Sequence, residues 1–257
     1  MAGVSRSSWR RWLRPDRAAA AADQQPADQP PADEGEAEVW HRRAVAADPG
    51  RTLSMVKLAD LLRKRGDGVE AEFWYQRAAD AGDPFAMSTL GDLHLDRGDQ
   101  AGAESWFRRA AGTGYVVAIC NLGDLYRGRD DPAEAEAWYR RAGDDEYAMS
   151  RLGSLFAHLG DAGRAETWFR RAAEAGSTYA MDSLGGLLRD RGAVDEAERW
   201  LRRGAEAGND FAMCSLGELL RDRGAVGEAK RWLRRAADAG NARAMSALGD
   251  LLAGGQA

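Results

Sequence analysis

The sequence predicts an all-α fold, a solenoid built from antiparallel helix hairpins. Three observations support this fold class: a tryptophan recurs every 30 to 34 residues, a Leu-Gly pair recurs in step with it, and two apolar stripes with a helical period lie within each interval. Self-similarity at one fixed period indicates a repeated supersecondary unit rather than one or two ordinary domains. The 257 residues are therefore interpreted as a stack of repeats.

Two landmarks set the register of the repeats. The tryptophans are Trp40, Trp74, Trp106, Trp138, Trp168, Trp200 and Trp232. The Leu-Gly pairs are Leu90-Gly91, Leu122-Gly123, Leu152-Gly153, Leu184-Gly185, Leu216-Gly217 and Leu248-Gly249, with Leu58-Ala59 in the earliest copy. Because the two landmarks keep a fixed phase, each period contains one structural unit.

Each unit opens with an amphipathic segment, named helix A. Its apolar residues fall at i, i+1, i+4, i+7 and i+8, as in Ala86, Met87, Leu90, Leu93 and His94. This spacing places them on one face of an α-helix. A glycine follows the segment at Gly66, Gly98, Gly160, Gly192 and Gly224. Glycine adopts the left-handed conformation that ends helices, so helix A is predicted to stop there.

A second amphipathic segment, named helix B, follows after this break. Its stripe falls at i, i+3, i+4, i+7 and i+8, as in Ala103, Trp106, Phe107, Ala110 and Ala111. Another glycine ends it at Gly82, Gly114, Gly176, Gly208 and Gly240. One hairpin buries too little apolar surface to offset its ordering entropy, so neighbouring hairpins are predicted to stack. The count is six full hairpins between two half repeats.

The pattern resembles the tetratricopeptide repeat family, with a second resemblance to Sel-1-like repeats at the junctions. The tetratricopeptide positions are Leu90 and Gly91 in helix A, Ala103, Phe107 and Ala110 in helix B, and the inter-repeat pair Asp48-Pro49. The junctions from Arg77 to Gly91 are two residues shorter and resemble those of Sel-1-like repeats. The resemblance covers roughly residues 35 to 252 and implies a right-handed superhelix that binds protein segments in a concave groove.

The resemblance also implies which helix A positions face that groove. One column reads Asp60, Asp92, Asp124, Ser154, Gly186, Glu218 and Asp250, a second reads Arg63, Leu95, Arg127, Ala157, Arg189 and Arg221, and a third reads Val56, Ser88, Cys120, Ser150, Asp182 and Cys214. The expected partner-binding residues are Asp60, Arg63, Ser88, Asp92, Asp124, Arg127, Asp182, Arg189, Glu218 and Arg221. An alternative stays open, that Asp124 with Arg127 and Glu218 with Arg221 are ordinary i, i+3 ion pairs.

The best-supported function is therefore a protein-interaction scaffold or adaptor. A net charge of −5 disfavours a general nucleic-acid binder. Helix B carries arginine pairs such as Arg108-Arg109, but a glutamate stands four residues before most of them, which predicts self-neutralised helix faces. A reader of single-stranded nucleic acid stays as an alternative, and a Sel-1-like hydrolase as a weaker one.

No residue pattern indicates catalysis, a cofactor or a metal site. Cys120 and Cys214 occur singly, without a CxxC motif or a histidine pair. No run of about 18 apolar residues predicts a membrane span, and no signal peptide is indicated. We expect a non-enzymatic protein of a reducing cytoplasm, and the strong preference for arginine over lysine suggests a bacterial, GC-rich coding sequence.

Two regions depart from the repeats at the ends of the chain. Residues 1–34 are predicted to be a disordered tail, with a basic aromatic segment from Trp9 to Arg14, and residues 35–257 to be the repeat domain. The segment is open to three interpretations: an inert tail, an anchor to a membrane or partner, or a short helix covering the first repeat. At the other end, Ala244 to Leu252 is a lone helix A, so self-association through this half repeat is a hypothesis.

One repeat inside the stack is irregular. Asp130 replaces the loop glycine, Asp131 and Pro132 are predicted to be the N-cap and first residue of helix B, and Gly143 to Glu146 shorten the exit by two residues. A change of superhelical rotation is predicted there. Whether the change forms a hinge, a binding notch or only a tolerated deletion stays open.

Overall fold

In the computed structural model, residues 34–253 are described. This part of the chain contains fourteen α-helices and no strand. In chain order they are α1 (Glu34–Ala47), α2 (Thr52–Arg65), α3 (Gly68–Asp80), α4 (Pro84–Asp96), α5 (Gln100–Gly112), α6 (Val116–Gly128), α7 (Pro132–Arg141), α8 (Glu146–His158), α9 (Ala162–Glu174), α10 (Thr178–Asp190), α11 (Val194–Glu206), α12 (Asp210–Asp222), α13 (Val226–Asp238) and α14 (Ala242–Ala253). The predicted all-α fold is confirmed, and the described helices are as many as one helix B, six hairpins and one helix A require.

The chain divides into two compact units, Met1–Trp74 and Tyr75–Ala257, and the boundary falls inside α3. In the first unit α1 packs against α2, whose Met55, Leu58 and Leu62 are fully buried. Arg42 of α1 joins this unit electrostatically, since it contacts Glu38 at 2.8 Å and Glu70 at 2.7 Å. The predicted tail and its Trp9 to Arg14 segment lie outside the described residues.

In the second unit the helices alternate between the two roles predicted from the repeat. The A helices are α4, α6, α8, α10, α12 and α14, and the complete B helices are α5, α7, α9, α11 and α13. Each B helix packs against its own A helix and against the next one, and from α6 onwards successive A helices also touch. The A helices therefore form one layer of this unit, so equivalent A positions come to lie side by side.

Packing inside each hairpin depends on the glycine of the Leu-Gly pair, because a large side chain of helix B lies directly over it. A Cβ atom built on Gly153 would lie 2.6 Å from the Phe169 ring, and one on Gly217 would lie 2.6 Å from Leu233 Cγ. Carbon atoms normally approach no closer than about 3.5 Å. Only glycine lets the two helices approach this closely, which explains why the pair recurs in every hairpin of the second unit.

The helices end and begin as the sequence predicts. All ten glycines predicted to follow helices A and B have positive φ, from 76° at Gly160 to 110° at Gly176. At the opposite ends, Asp and Ser or Asn side chains accept hydrogen bonds from backbone amides, as Asp83 does from Ala86 at 2.9 Å. Four helices, α2, α6, α11 and α13, begin without a side-chain cap. The glycine ends, with side-chain caps at other helix starts, therefore fix the helix lengths and keep the repeat positions in register.

The irregular repeat has the local structure predicted for it. Asp130 has φ 59° in place of the loop glycine, Asp131 accepts from the Glu134 amide at 3.1 Å, and Pro132 opens α7. The helix then contains 10 residues, whereas α9 contains 13. The change of superhelical rotation stays a prediction.

Candidate functional site

The candidate site lies on the solvent side of the A-helix layer of the second unit, named the A face. Its first component is a row of aromatic side chains near the start of the A helices. Phe85 is 44% exposed, Tyr179 38% and Phe211 54%, and Tyr147 is half-buried. Seven residues after each of them comes a member of the first predicted column, named the acidic column: Asp92, Ser154, Gly186 or Glu218. A separation of seven residues places two side chains on the same face of a helix.

Polar contacts between successive A helices form the second component of the A face. The Asn121 amide donates to Ser88 Oγ at 3.3 Å and to Asp92 Oδ1 at 3.4 Å. Two junctions later the Tyr179 hydroxyl lies 3.1 Å from Ser154 Oγ. The contacts to Asp92 and Ser154 reach the first predicted column of the preceding A helix, and the contact to Ser88 reaches the third. Residues of the predicted columns therefore already bind side chains of the next A helix.

Asp124 lies at the centre of a buried polar cluster beside the irregular repeat. Its Oδ1 accepts from the Tyr139 hydroxyl at 2.7 Å and lies 3.0 Å from Arg127, while Oδ2 lies 3.6 Å from the buried Arg151. Burial raises the pKa of Tyr147, which hydrogen-bonds Arg151, to about 12. Because Asp124 is only 8% exposed and has ionic partners on both sides, this cluster orders the A layer and presents little charge to a partner.

A second charged cluster lies between α10, α12 and α14. Glu218 accepts from Arg243 Nε at 2.8 Å, and Arg189 lies 4.0 Å from its other oxygen. Arg221 instead contacts Asp222, at 3.0 Å. The alternative of an ordinary Asp124–Arg127 ion pair is thus confirmed. The predicted Glu218–Arg221 pair is wrong, because Arg243 of the next A helix binds Glu218 instead.

An opening on the A face is centred on Gly186, where the acidic column has no side chain. A Cβ atom at this position would meet nothing within 4 Å. Asp182, one turn earlier on α10, is held by a hydrogen bond to Ser215, but its buried Oδ1 has no hydrogen-bond partner. Burial raises the pKa of Asp182. The opening therefore offers space on the helix face that carries the exposed Tyr179 ring, with the exposed Phe211 ring on the next A helix, whereas the unpartnered Asp182 oxygen is shielded from solvent.

The predicted partner-binding residues differ widely in accessibility. In the second unit Asp92 is exposed, Arg189 and Arg221 are half-buried, and Ser88 and Asp124 are buried. In the first unit Asp60 and Arg63 lie on α2, with their charged atoms 4.0 Å apart. Sequence reasoning missed Tyr179, Phe211 and Arg243, although their signal was present: all three occupy the helix A position three residues before the Ser88 column.

The arginine pairs of helix B are engaged within the protein. The first arginine of a pair contacts the glutamate four residues earlier, as Arg108 does with Glu104 at 2.8 Å, and the prediction of self-neutralised faces is confirmed. The second arginine stacks on the tryptophan three residues before it, as Arg109 does on Trp106 at 4.2 Å. These tryptophans are buried or half-buried, except Trp40, which is 57% exposed.

Groups capable of other chemistry are few in the described part of the chain. Cys120 and Cys214 are buried free thiols, and burial raises the pKa of both, for Cys214 to about 11. Such thiols stay protonated and unreactive at neutral pH. In residues 34–253 no group of three His, Cys, Asp or Glu side chains has a geometry that suits a metal ion. The described helices also include none with the length and apolar character needed to cross a membrane.

Family models of two kinds match successive repeats along the chain. A model described as Sel1 repeat matches residues 53–83, 146–177 and 211–241. Models described as tetratricopeptide repeat match residues 84–109, 117–142 and 178–207. No curated protein matches the chain significantly. The hybrid of the two patterns predicted from the sequence is therefore confirmed.

Solved structures with the same fold extend this result. A Sel1 repeat protein from Oxalobacter formigenes is 24% identical, with TM-score 0.63 over 86% of this chain and 71% of that chain. Protein c5321, a protective antigen present in uropathogenic Escherichia coli strains and displaying an SLR fold, is 27% identical, with TM-score 0.55 over 83% of this chain. Yeast Tom70 is 11% identical, with TM-score 0.62 over 87% of this chain and 59% of that chain. The chain spans about half (51%) of the c5321 structure. These likenesses confirm the predicted all-α solenoid.

Proposed function

The chain is a tetratricopeptide and Sel1-like repeat protein, and from that premise we propose that it is a non-catalytic scaffold binding an extended segment of a protein partner along the A face. One observation carries the proposal, the opening at Gly186. There open space lies on the same helix face as the exposed ring of Tyr179, and the next A helix carries the exposed ring of Phe211.

The opening also indicates the chemistry of the partner segment. Tyr179 and Phe211 offer apolar and π surface, so an aliphatic or aromatic side chain of the partner fits between them. Asp182 Oδ1 is shielded from solvent, so the exposed rings contact the segment in this proposal and the Asp182 carboxylate does not. Arg189 and Arg243 balance the charges of Asp182 and Glu218, so the segment needs no strong net charge. Shape and apolar contact therefore dominate recognition in this proposal.

The wider A face supplies a path for the rest of the segment. Phe85 and Asp92 are exposed on α4, and Arg127 lies half-buried on α6. Repeat proteins bind extended ligands by presenting one residue set per repeat along a continuous surface. Asp124 and Ser88 act in this proposal by holding neighbouring A helices together, since both are buried. Asp60 and Arg63 belong to the same predicted residue set and lie on α2 of the first unit.

The absence of catalysis is part of the proposal and rests on the state of the reactive groups. The two thiols are buried with raised pKa values, and the first arginine of most helix B pairs is held by an acidic side chain. The unpaired cysteines and the arginine bias support a reducing, bacterial cytoplasm as the setting.

Affinity capture from the native cell with two matched glycine variants tests the proposal. Gly186→Leu fills the opening, and Gly227→Leu places the same side chain on α13, where an added Cβ also meets nothing within 4 Å. We expect wild type and Gly227→Leu to retain the same partner after mild cross-linking, and Gly186→Leu to lose it. Equal capture by all three proteins, or capture of no partner by any, contradicts the assignment of the A face.

A further inference from the structure

The last helix of the chain exposes apolar side chains that its equivalents bury. Met245 of α14 is 51% exposed, whereas Met213 and Met181 at the same repeat position are 6% and 3% exposed. Leu252 is 42% exposed, whereas the equivalent Leu220 is 3% exposed. In earlier repeats these positions are covered by the helix B of the same hairpin and by the next repeat. Among the described residues no helix B follows α14, so one face of α14 is uncovered there.

Gly249 shows what this face is shaped to receive. The equivalent glycines of the five hairpins in the second unit each lie under a large helix B side chain, and a Cβ there would come within 2.3 to 2.6 Å of it. At Gly249 an added Cβ meets nothing within 4 Å. The socket for a helix B is therefore formed in α14 and contains no side chain.

The first helix, α1, also has an apolar stripe that is incompletely buried. α1 aligns with the B helices, and its residues Ala37, Trp40, His41 and Ala44 fall at i, i+3, i+4 and i+7, the stripe that contacts the preceding A helix. Ala37, His41 and Ala44 are half-buried and Trp40 is 57% exposed. At the equivalent positions of α13 the side chains are nearly all buried, with Leu233 at 0% and Trp232 at 9%.

We propose that α1 of a second copy docks on α14 and completes a seventh hairpin between the two molecules. The proposed interface repeats the packing found inside each hairpin, in which the apolar stripe of a helix B lies on the glycine of a helix A. In this register His41 lies over Gly249, and Trp40 covers Met245 or Leu252. The contact joins two different surfaces, so it is heterologous and gives head-to-tail assemblies, either closed rings or open filaments.

The socket glycine allows a test that leaves the single molecule intact. Gly249→Ala adds a methyl group that meets no atom of α14's own chain but blocks the incoming His41, as a Cβ would at the other sockets. Sedimentation of the full chain from low to high micromolar concentration should show wild type and the control Gly227→Ala assembling. Gly249→Ala should raise the dissociation constant at least about tenfold.

A mixing experiment separates head-to-tail assembly from a symmetric contact. Trp40→Asp blocks the α1 surface and Gly249→Ala blocks the α14 surface, and circular dichroism checks that both variants keep the wild-type helix content. Each alone should stay monomeric, and the mixture should form a one-to-one dimer, because each variant retains the surface that the other lacks. A mixture that stays monomeric overturns the proposal, as does unchanged assembly of either variant alone.

Wild-type behaviour supplies the remaining decisive outcomes. A wild-type chain that is monomeric at every concentration overturns the proposal. If assembly appears only after deletion of residues 1–33, that segment covers α1 or α14 within its own molecule, and the proposal for the intact chain is again overturned. Assembly of the intact chain that depends on both Trp40 and Gly249 supports it.

Discussion

The same substitution, Gly to Ala, should change stability in opposite directions at two equivalent positions of the repeat. Gly153 lies under the Phe169 ring, with an added Cβ 2.6 to 2.8 Å from three ring atoms. Gly249 occupies the same position in α14 and has open space above it. We expect Gly153→Ala to destabilise the protein and Gly249→Ala to stabilise it.

The magnitude follows from two effects. Alanine favours a helix over glycine by up to about 1 kcal/mol, and this gain applies at both positions. At Gly153 the methyl group requires the ring to move by about 1 Å, and such overpacking costs about 1–3 kcal/mol. The net expectation is a loss of about 1–2 kcal/mol for Gly153→Ala and a gain of up to about 1 kcal/mol for Gly249→Ala.

The assay is urea unfolding followed by circular dichroism, at protein concentrations below any self-association. Because both variants share the helix contribution, the difference between their free energies of unfolding isolates the steric cost at Gly153. Repeat proteins can lose two-state behaviour, so hydrogen exchange of the α8 and α14 amides should accompany the urea data. Equal shifts of the same sign in both variants would refute the proposed packing of helix B over the Leu-Gly glycine.

Two further predictions concern titrating groups. Hydrogen bonding to Tyr126, Arg129 and Arg108 holds the pKa of Glu104 at about 2, against an ordinary 4.5. Because the pKa is lowered in the folded state, ionised Glu104 stabilises the fold above about pH 4.5. This contribution to the free energy of unfolding is lost as the pH falls towards 2. After a discount for solvent screening, Glu104→Gln should cost about 1 kcal/mol at pH 7 and nothing near pH 2 in urea unfolding, and a pH-independent cost would contradict this. Burial raises the pKa of Asp182, so its ionised form destabilises the fold above that pKa; Asp182→Asn should raise the melting temperature at pH 7 but not near pH 3, and a lower melting temperature at pH 7 would contradict the assigned burial cost.

Most of the fold could be predicted from the sequence because each repeat contains the same local signals for where its helices begin, end and bury a face. Glycines such as Gly98 and Gly114 end helices, and the apolar stripes have one period throughout. Even the irregular copy followed local chemistry, since Asp131 caps α7 and Pro132 opens it. These features depend on residues close in sequence, where propensity and capping decide the structure.

The candidate site was predictable only in part, because its contacts cross from one repeat to the next. Arg243, 25 residues later in the chain, donates to Glu218. The i, i+3 spacing within one helix therefore predicted the wrong ion-pair partner for Glu218, Arg221. Asp124 was expected to be displayed, but Tyr139 over the neighbouring glycine and Arg151 from the next helix bury it. The columns themselves were correct as a pattern, and only packing determines which members reach solvent.

Trp40 illustrates the same limit at the end of the stack. Its sequence context matches that of the buried Trp138 and Trp232, yet it is exposed because no described helix A precedes α1. Repeat position predicts burial only where both neighbours exist.

Site-specific photo-crosslinking from the A face tests the central claim most directly. A benzophenone amino acid in place of Phe211 reports contacts beside the Gly186 opening, and one in place of Arg231, exposed on helix B, serves as the matched control. Irradiation in the native cell followed by peptide mapping should give adducts from position 211 to one continuous segment of a partner protein, and none to that segment from position 231. Adducts to the partner from position 231 alone would contradict binding along the A face.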